Sequence, residues 1–149
     1  MPTWFQKYIR LVGFIILSGV VLACDSGQPV HLPKVTYIAS LKGDTAIATI
    51  EESKSLFKGV LEIRYKSGYK DSGNVKGFIK GDTLMGEYHF QRYWLPVWKR
   101  NPIIFLRKGD KLIMGKGVVT HTMGIPHYNN KFPVDYTESN SFVFRSAIK

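Results

Sequence analysis

The sequence predicts an all-β protein, a small up-and-down antiparallel β-barrel of about eight strands. Three observations carry that expectation. From Val35 onward apolar residues recur at every second position, the period of a strand with one buried and one wet face. The tripeptide Lys-Gly-Asp occurs at 42–44, 80–82 and 108–110, each time between two such runs. Beyond the first 23 residues no stretch carries the apolar stripe of an amphipathic helix.

Taken in order, Val35, Tyr37, Ala39 and Leu41 alternate with Thr36 and Ser40. Phe57, Gly59, Leu61, Ile63 and Tyr65 alternate with Lys58, Glu62 and Arg64. Val75, Gly77 and Ile79 alternate with Lys76 and Lys80, and Leu84, Gly86, Tyr88 and Phe90 with Glu87, His89 and Gln91. "IIFL" (103–106), "KLIMGKGVV" (111–119) and "SFVFR" (141–145) add further strands. The Lys-Gly-Asp copies join Leu41 to Thr45, Ile79 to Leu84 and Leu106 to Leu112. Glycine reaches positive φ without a Cβ clash and Asp bonds nearby amides, so Gly-Asp suits a tight hairpin. The tripeptide also suggests adhesion to an integrin-like receptor, but its repetition at three corners identifies it as a turn. Strands joined mainly by hairpins form a meander of the lipocalin kind, and closure into a barrel removes its exposed edges. A half-open sheet folded on itself is the alternative. The glycines Gly59, Gly77, Gly86, Gly115 and Gly117 fit strongly bent strands.

A chain of 149 residues, 44% hydrophobic and 21% charged, builds one packed domain. Its formal net charge is +10, and without Lys7 and Arg10 residues 24–149 keep +8. That balance favours anionic partners. Lys7 and Arg10 precede the apolar run "LVGFIILSGVVLA" (11–23), and Cys24, the only cysteine, follows at once. Thirteen apolar residues match the core of an export signal and fall short of the roughly 20 needed to span a bilayer. "VLAC" (21–24) resembles the bacterial lipobox, at which Cys is lipidated and the chain cleaved before it. Val21 and Leu22 depart from the commonest form of that box, and a retained signal anchor is the alternative. The expected organisation is a signal peptide over 1–23, a tether over 24–34 containing "DSGQPVHLPK", and a β-barrel domain over 35–149. The expected location is the bacterial cell envelope, with the outer membrane as the anchoring bilayer and the domain outside the cytoplasm. Acylation of Cys24 leaves no thiol for a disulfide or a nucleophile.

"GFIKGDTLMGEYHF" (77–90) and "LRKGDKLIMGKG" (106–117), with the lipobox, resemble a group of small lipoproteins of the Bacteroidota type. The matching positions are Lys76, Gly77, Ile79, Lys80, Gly81, Asp82, Thr83, Leu84, Tyr88 and Phe90, then Gly109, Asp110, Leu112, Gly115 and Gly117. The resemblance covers about half the chain and implies localisation and fold; the group carries no assigned activity. The link after Phe90, "QRYWLPVWKRNP" (91–102), departs from the group's pattern.

That link is also the most unusual stretch. Arg92, Tyr93, Trp94, Trp98, Lys99 and Arg100 form a candidate aromatic and basic lip for a lipid, a glycan or a membrane surface. The competing expectation has its tryptophans folded back to plug a barrel end. His121, His127 and Asp135 come nearest to a metal site, but the glycine and proline between the two histidines point to exposed loop residues, so no metal or other cofactor is expected. The sequence brings no nucleophile to a base and carries no phosphate-binding or dinucleotide fingerprint, which argues against an enzyme; export argues against nucleic acid as partner. Two functions remain. One is a non-catalytic envelope lipoprotein, anchored to the membrane through Cys24, that binds a small amphipathic ligand or an envelope partner, with an anionic lipid or glycan surface as the partner its charge allows. The other is a structural or interaction module with a filled core and no ligand. A barrel filled by Tyr37, Phe57, Tyr65, Tyr88, Phe90, Phe142 and Phe144 favours an outer face that does the binding.

Overall fold

The computed structural model describes residues 32–93 and 95–147. Through them run β1 (Lys34–Leu41), β2 (Asp44–Glu52), β3 (Leu56–Arg64), β4 (Lys70–Lys80), β5 (Thr83–Arg92), β6 (Trp98–Lys108), β7 (Lys111–Met114), β8 (Val119–Thr122), β9 (Ile125–Tyr128) and β10 (Val143–Ser146), with a short 3-10 turn at Glu138–Asn140. Eight of these strands close into an antiparallel barrel in the order β1-β10-β7-β6-β5-β4-β3-β2. Apart from the excursion between β7 and β10, the ring follows chain order. This is the up-and-down meander that the alternation predicts. β8 and β9 form a separate hairpin.

The hairpin turns explain the repeated tripeptide, with one difference among the copies. Lys80 pairs with Thr83 and Lys108 with Lys111, so Gly81-Asp82 and Gly109-Asp110 are the two-residue tips. Each has glycine at the first central position with positive φ, 58° and 62°, as a type II′ turn requires. In the first copy Leu41 pairs with Asp44, so the tip is Lys42-Gly43, with φ of 52° and 94°. Asp44 has moved into the strand, where its carboxylate accepts from the Lys66 amide at 2.9 Å.

One phase of each strand fills the barrel. Ala46, Ala48 and Ile50 of β2 meet Phe57, Leu61 and Ile63 of β3, Leu84, Tyr88 and Phe90 of β5, Ile103 and Phe105 of β6, Leu112 of β7, and Phe142 and Phe144. Tyr37 and Tyr65 pack against this cluster. Phe105 and Phe144 meet edge to face at 5.7 Å, and Tyr88 stacks on Phe90 at 4.5 Å. The Tyr88 hydroxyl donates to the Leu61 carbonyl at 3.0 Å, so this buried polar atom is satisfied. Glycines let the wall curve around so full an interior. Gly77 and Gly86 face each other in register, and a Cβ on Gly86 would collide with the Lys76 carbonyl. Among the described residues, strands and core side chains come from Lys34–Ser146, and Leu32–Lys149 forms a compact unit of the size of an independently folding domain.

Three boundaries differ from the sequence expectation. The barrel begins at Lys34, inside the expected tether, because Lys34 pairs with Glu51 and places its ammonium 3.1 Å from that carboxylate. "KLIMGKGVV" is not one strand: β7 ends at Met114, and Lys116 bridges instead to Asp135. Gly115 and Gly117 therefore do not bend a barrel strand. Gly115 lies where a side chain would strike Val134, Tyr136 and Ile104, which places Val134 and Tyr136 of the excursion near Ile104 on the outer wall. Third, 119–128 is a β-hairpin rather than a loop, turning at Met123-Gly124 with φ of 50° and 78°.

Candidate functional site

Register divides the expected lip between the two faces of the barrel wall. Trp98 pairs with Gln91, Lys99 with Phe90 and Arg100 with His89, and successive residues of a strand point to opposite faces. Trp98 and Arg100 therefore share the outer face, while Lys99 shares the inner phase of Phe90. Trp98 is exposed and lies tilted on His89 at 4.8 Å between ring centres; this overturns the plug expectation for Trp98. Arg100 lies 3.4 Å from Glu87. Tyr93 is exposed, with the Lys70 ammonium 5.1 Å from its ring centre. Cys24, His31 and Trp94 fall outside the described residues.

Arg92 is engaged in an ion pair while its side chain stays 34% exposed. It turns inward and donates two hydrogen bonds to Asp71, at 2.8 and 3.0 Å, and the Tyr65 hydroxyl donates a third at 2.9 Å. The Asp71 side chain is only 4% exposed. Burial opposes its ionisation, but the bonds from Arg92 and Tyr65 outweigh it and hold the carboxyl below its usual range. Burial and the same carboxylate push the Tyr65 phenol up to about 12. The opposite end of the barrel repeats the arrangement. Arg107 of β6 bonds Glu52 of β2, strands with three others between them on either path round the ring. Tyr37 beside them is raised by burial and by the Glu52 charge. Each end of the barrel thus carries an acid paired with an arginine beside a tyrosine.

The histidines do not converge. Thr120 pairs with His127 and His121 with Pro126, so alternation sends His121 and His127 to opposite faces of the hairpin. His127 is engaged instead with Thr120 Oγ1 and the Ile125 carbonyl, both at 3.2 Å. Asp135 is tied to the Thr137 amide at 2.8 Å. Among the described residues no group of three or more His, Cys, Asp or Glu is placed to hold a metal ion.

Sequence reasoning missed the main concave feature of the outer wall. A groove of about 1070 Å³ runs between the barrel and the β8–β9 hairpin. Its floor is the cross-strand row Leu56–Phe78–Met85, paired in register across β3, β4 and β5. Pro126 and Tyr128 form the far wall, and Leu32 also lines it. The Tyr128 hydroxyl donates to the Pro102 carbonyl at 3.2 Å, which ties the hairpin to β6. A second row, Glu51–Lys58–Lys76–Glu87, bounds the near side. Beyond that row a smaller hollow of about 450 Å³ includes Val60, His89 and Arg100. A third, of about 510 Å³, lies by the 92–98 link and includes Arg92, Tyr93 and Trp98. The signal for the main groove was present in the chain: Leu56, Phe78 and Met85 sit on the polar phase of three consecutive strands. No helix among the described residues is long and apolar enough to cross a membrane. Set against protein-family models, curated proteins and solved structures, the chain matches none.

Proposed function

We propose that this chain is a non-catalytic, lipid-anchored protein of the bacterial cell envelope whose barrel works through its outer wall, where it holds an amphipathic ligand or an envelope partner. The observation that carries this reading is the contrast between a barrel interior closed by Phe57, Tyr88, Phe90, Phe105, Phe142 and Phe144 and an apolar groove open on the outside. A packed interior leaves the wall as the binding surface. The anchoring half rests on the sequence: a basic start, a 13-residue apolar run and Cys24 directly after Ala23. A diacylated thioether supplies the two-chain attachment that one acyl chain does not. The test is metabolic labelling with radioactive fatty acid in a bacterial host. Wild type is expected to take up label and fractionate with membranes, and Cys24→Ser to do neither; equal labelling of both removes the lipid anchor from this reading.

A further inference from the structure

The outer groove has three properties that together specify a ligand. Its floor is apolar and open: Leu56, Phe78 and Met85 are 60%, 49% and 36% exposed although they lie side by side on adjacent strands. Aligned apolar residues left facing water on a wall whose interior is already full have no part in the barrel core. Its far side is built, since the Tyr128 bond to Pro102 and the close seating of the Tyr128 ring over Gly117 hold the hairpin above the floor. Its near side is a charged row with the ammonium-bearing Lys58 and Lys76 side by side at its centre. Lys34 and Lys58 share Glu51, at 3.1 and 3.3 Å, and Lys76 and Arg100 share Glu87, at 3.3 and 3.4 Å. Glu51, Lys58, Lys76 and Glu87, which line the groove, balance one another, and Lys34 and Arg100, which flank that row outside the groove, bring the six to +2.

We propose that this groove binds an anionic single-chain amphiphile, such as a fatty acid. The tail lies along Leu56, Phe78 and Met85 beneath Pro126, and the head group rests on the Lys58–Lys76 rim. An apolar trough recognises the chain through the area it removes from water. The shared carboxylates keep the lysines ordered, and the flanking Lys34 and Arg100 leave the row a positive excess for the head group. The proposal deepens the outer-wall half of the reading above and is independent of the anchor at Cys24.

The test uses residues 25–149, which contain the whole barrel, with 13C-methyl methionine. This piece has three methionines: Met85 on the groove floor, Met114 packed against the barrel core and Met123 at the hairpin tip. Titration with laurate below its micelle concentration is expected to move the Met85 methyl to saturation while Met114 stays in place. Phe78→Glu, which puts a charge on an exposed floor position, should weaken laurate by about tenfold or more with the Met114 signal unchanged. Lys58→Gln/Lys76→Gln should weaken laurate while leaving neutral dodecanol as before. The proposal is overturned if Met85 does not respond, if Met114 moves with it, or if Phe78→Glu binds as wild type does. It is equally overturned if Met85 responds to phosphatidylglycerol vesicles but not to free laurate, which would make the groove a bilayer-docking face. Loss of labelling at Cys24 with the Met85 response intact would remove the anchor and leave the groove standing.

Discussion

Strands β3, β4 and β5 carry apolar residues on both faces, and the two sets are built by different rules. Inside, Phe57 and Tyr88 are nearly sealed from water, and glycine stands at 77 and 86 because the opposing backbone leaves no room for a side chain. Outside, one residue along each strand, Leu56, Phe78 and Met85 remain open. The inner face is crowded to the point of needing glycine, whereas the outer floor touches little. Neighbours in sequence therefore divide the tasks: the inner set closes the barrel and the outer set is free to bind. The inner polar groups follow the inner rule, since Asp71 is buried with Arg92 and Tyr65 fully engaged on it.

The comparison is broken most forcefully from the inside. Arg92→Ala leaves Asp71 buried without its guanidinium, and unpairing a buried charge destabilises by about 3–5 kcal/mol; thermal or urea melts of the barrel check this. Acid adds a second reading of the same site. The Asp71 carboxyl sits below its usual range in the folded state. Its contribution is therefore complete above the unfolded carboxylate pKa of about 3.9 and is lost as pH falls through the lower folded value. Melting temperature followed from pH 6 downward, by about one unit at a time, should fall less steeply for Asp71→Asn than for wild type.

A smaller effect is expected at the hairpins. Gly81 has φ of 58° and open space around it, so Gly81→Val is penalised by its backbone alone, by roughly 1–3 kcal/mol. An unchanged melting midpoint would show that the tip relaxes freely. The smallest effect belongs to the outer floor. Phe78→Ser removes a half-exposed ring and should shift stability by no more than about 0.5 kcal/mol. A loss as large as that of Arg92→Ala would place Phe78 among the residues that hold the barrel together and dissolve the distinction between the faces.

How much of this was legible in the chain depends on how local each signal is. Strand alternation and turn glycines act over a few residues, so the eight-stranded ring and the Gly81 and Gly109 tips could be read directly. The β8–β9 hairpin was hidden because Met123 takes positive φ of 50° without being a turn-forming residue, and because Pro126 within β9 argues against a strand. The apolar run through Gly115 looked continuous because its break is imposed from outside, by Val134 and Tyr136. In the candidate site, the basic and aromatic residues at 92–100 were visible as a cluster, but the pairing of Arg92 with the buried Asp71 depends on its partner on β4, which the link itself does not reveal. The groove floor was within reach: Phe78 and Met85 are placed symmetrically about the Gly81-Asp82 tip, so that turn alone sets them opposite each other. The Tyr128 wall opposite them is contributed from 26 residues beyond Pro102, and no local pattern announces it.

The division of the barrel into a closed inside and a binding outside is tested most directly by where an apolar chain goes. Stearate carrying a nitroxide near the end of its tail, added to the 13C-methyl methionine barrel, broadens the methyls it approaches. The account predicts rapid broadening of Met85 on the groove floor while Met114, against the core, keeps its linewidth until the protein unfolds. Broadening of Met114 first, in a protein that still melts cooperatively, would place the chain inside the barrel and contradict the account.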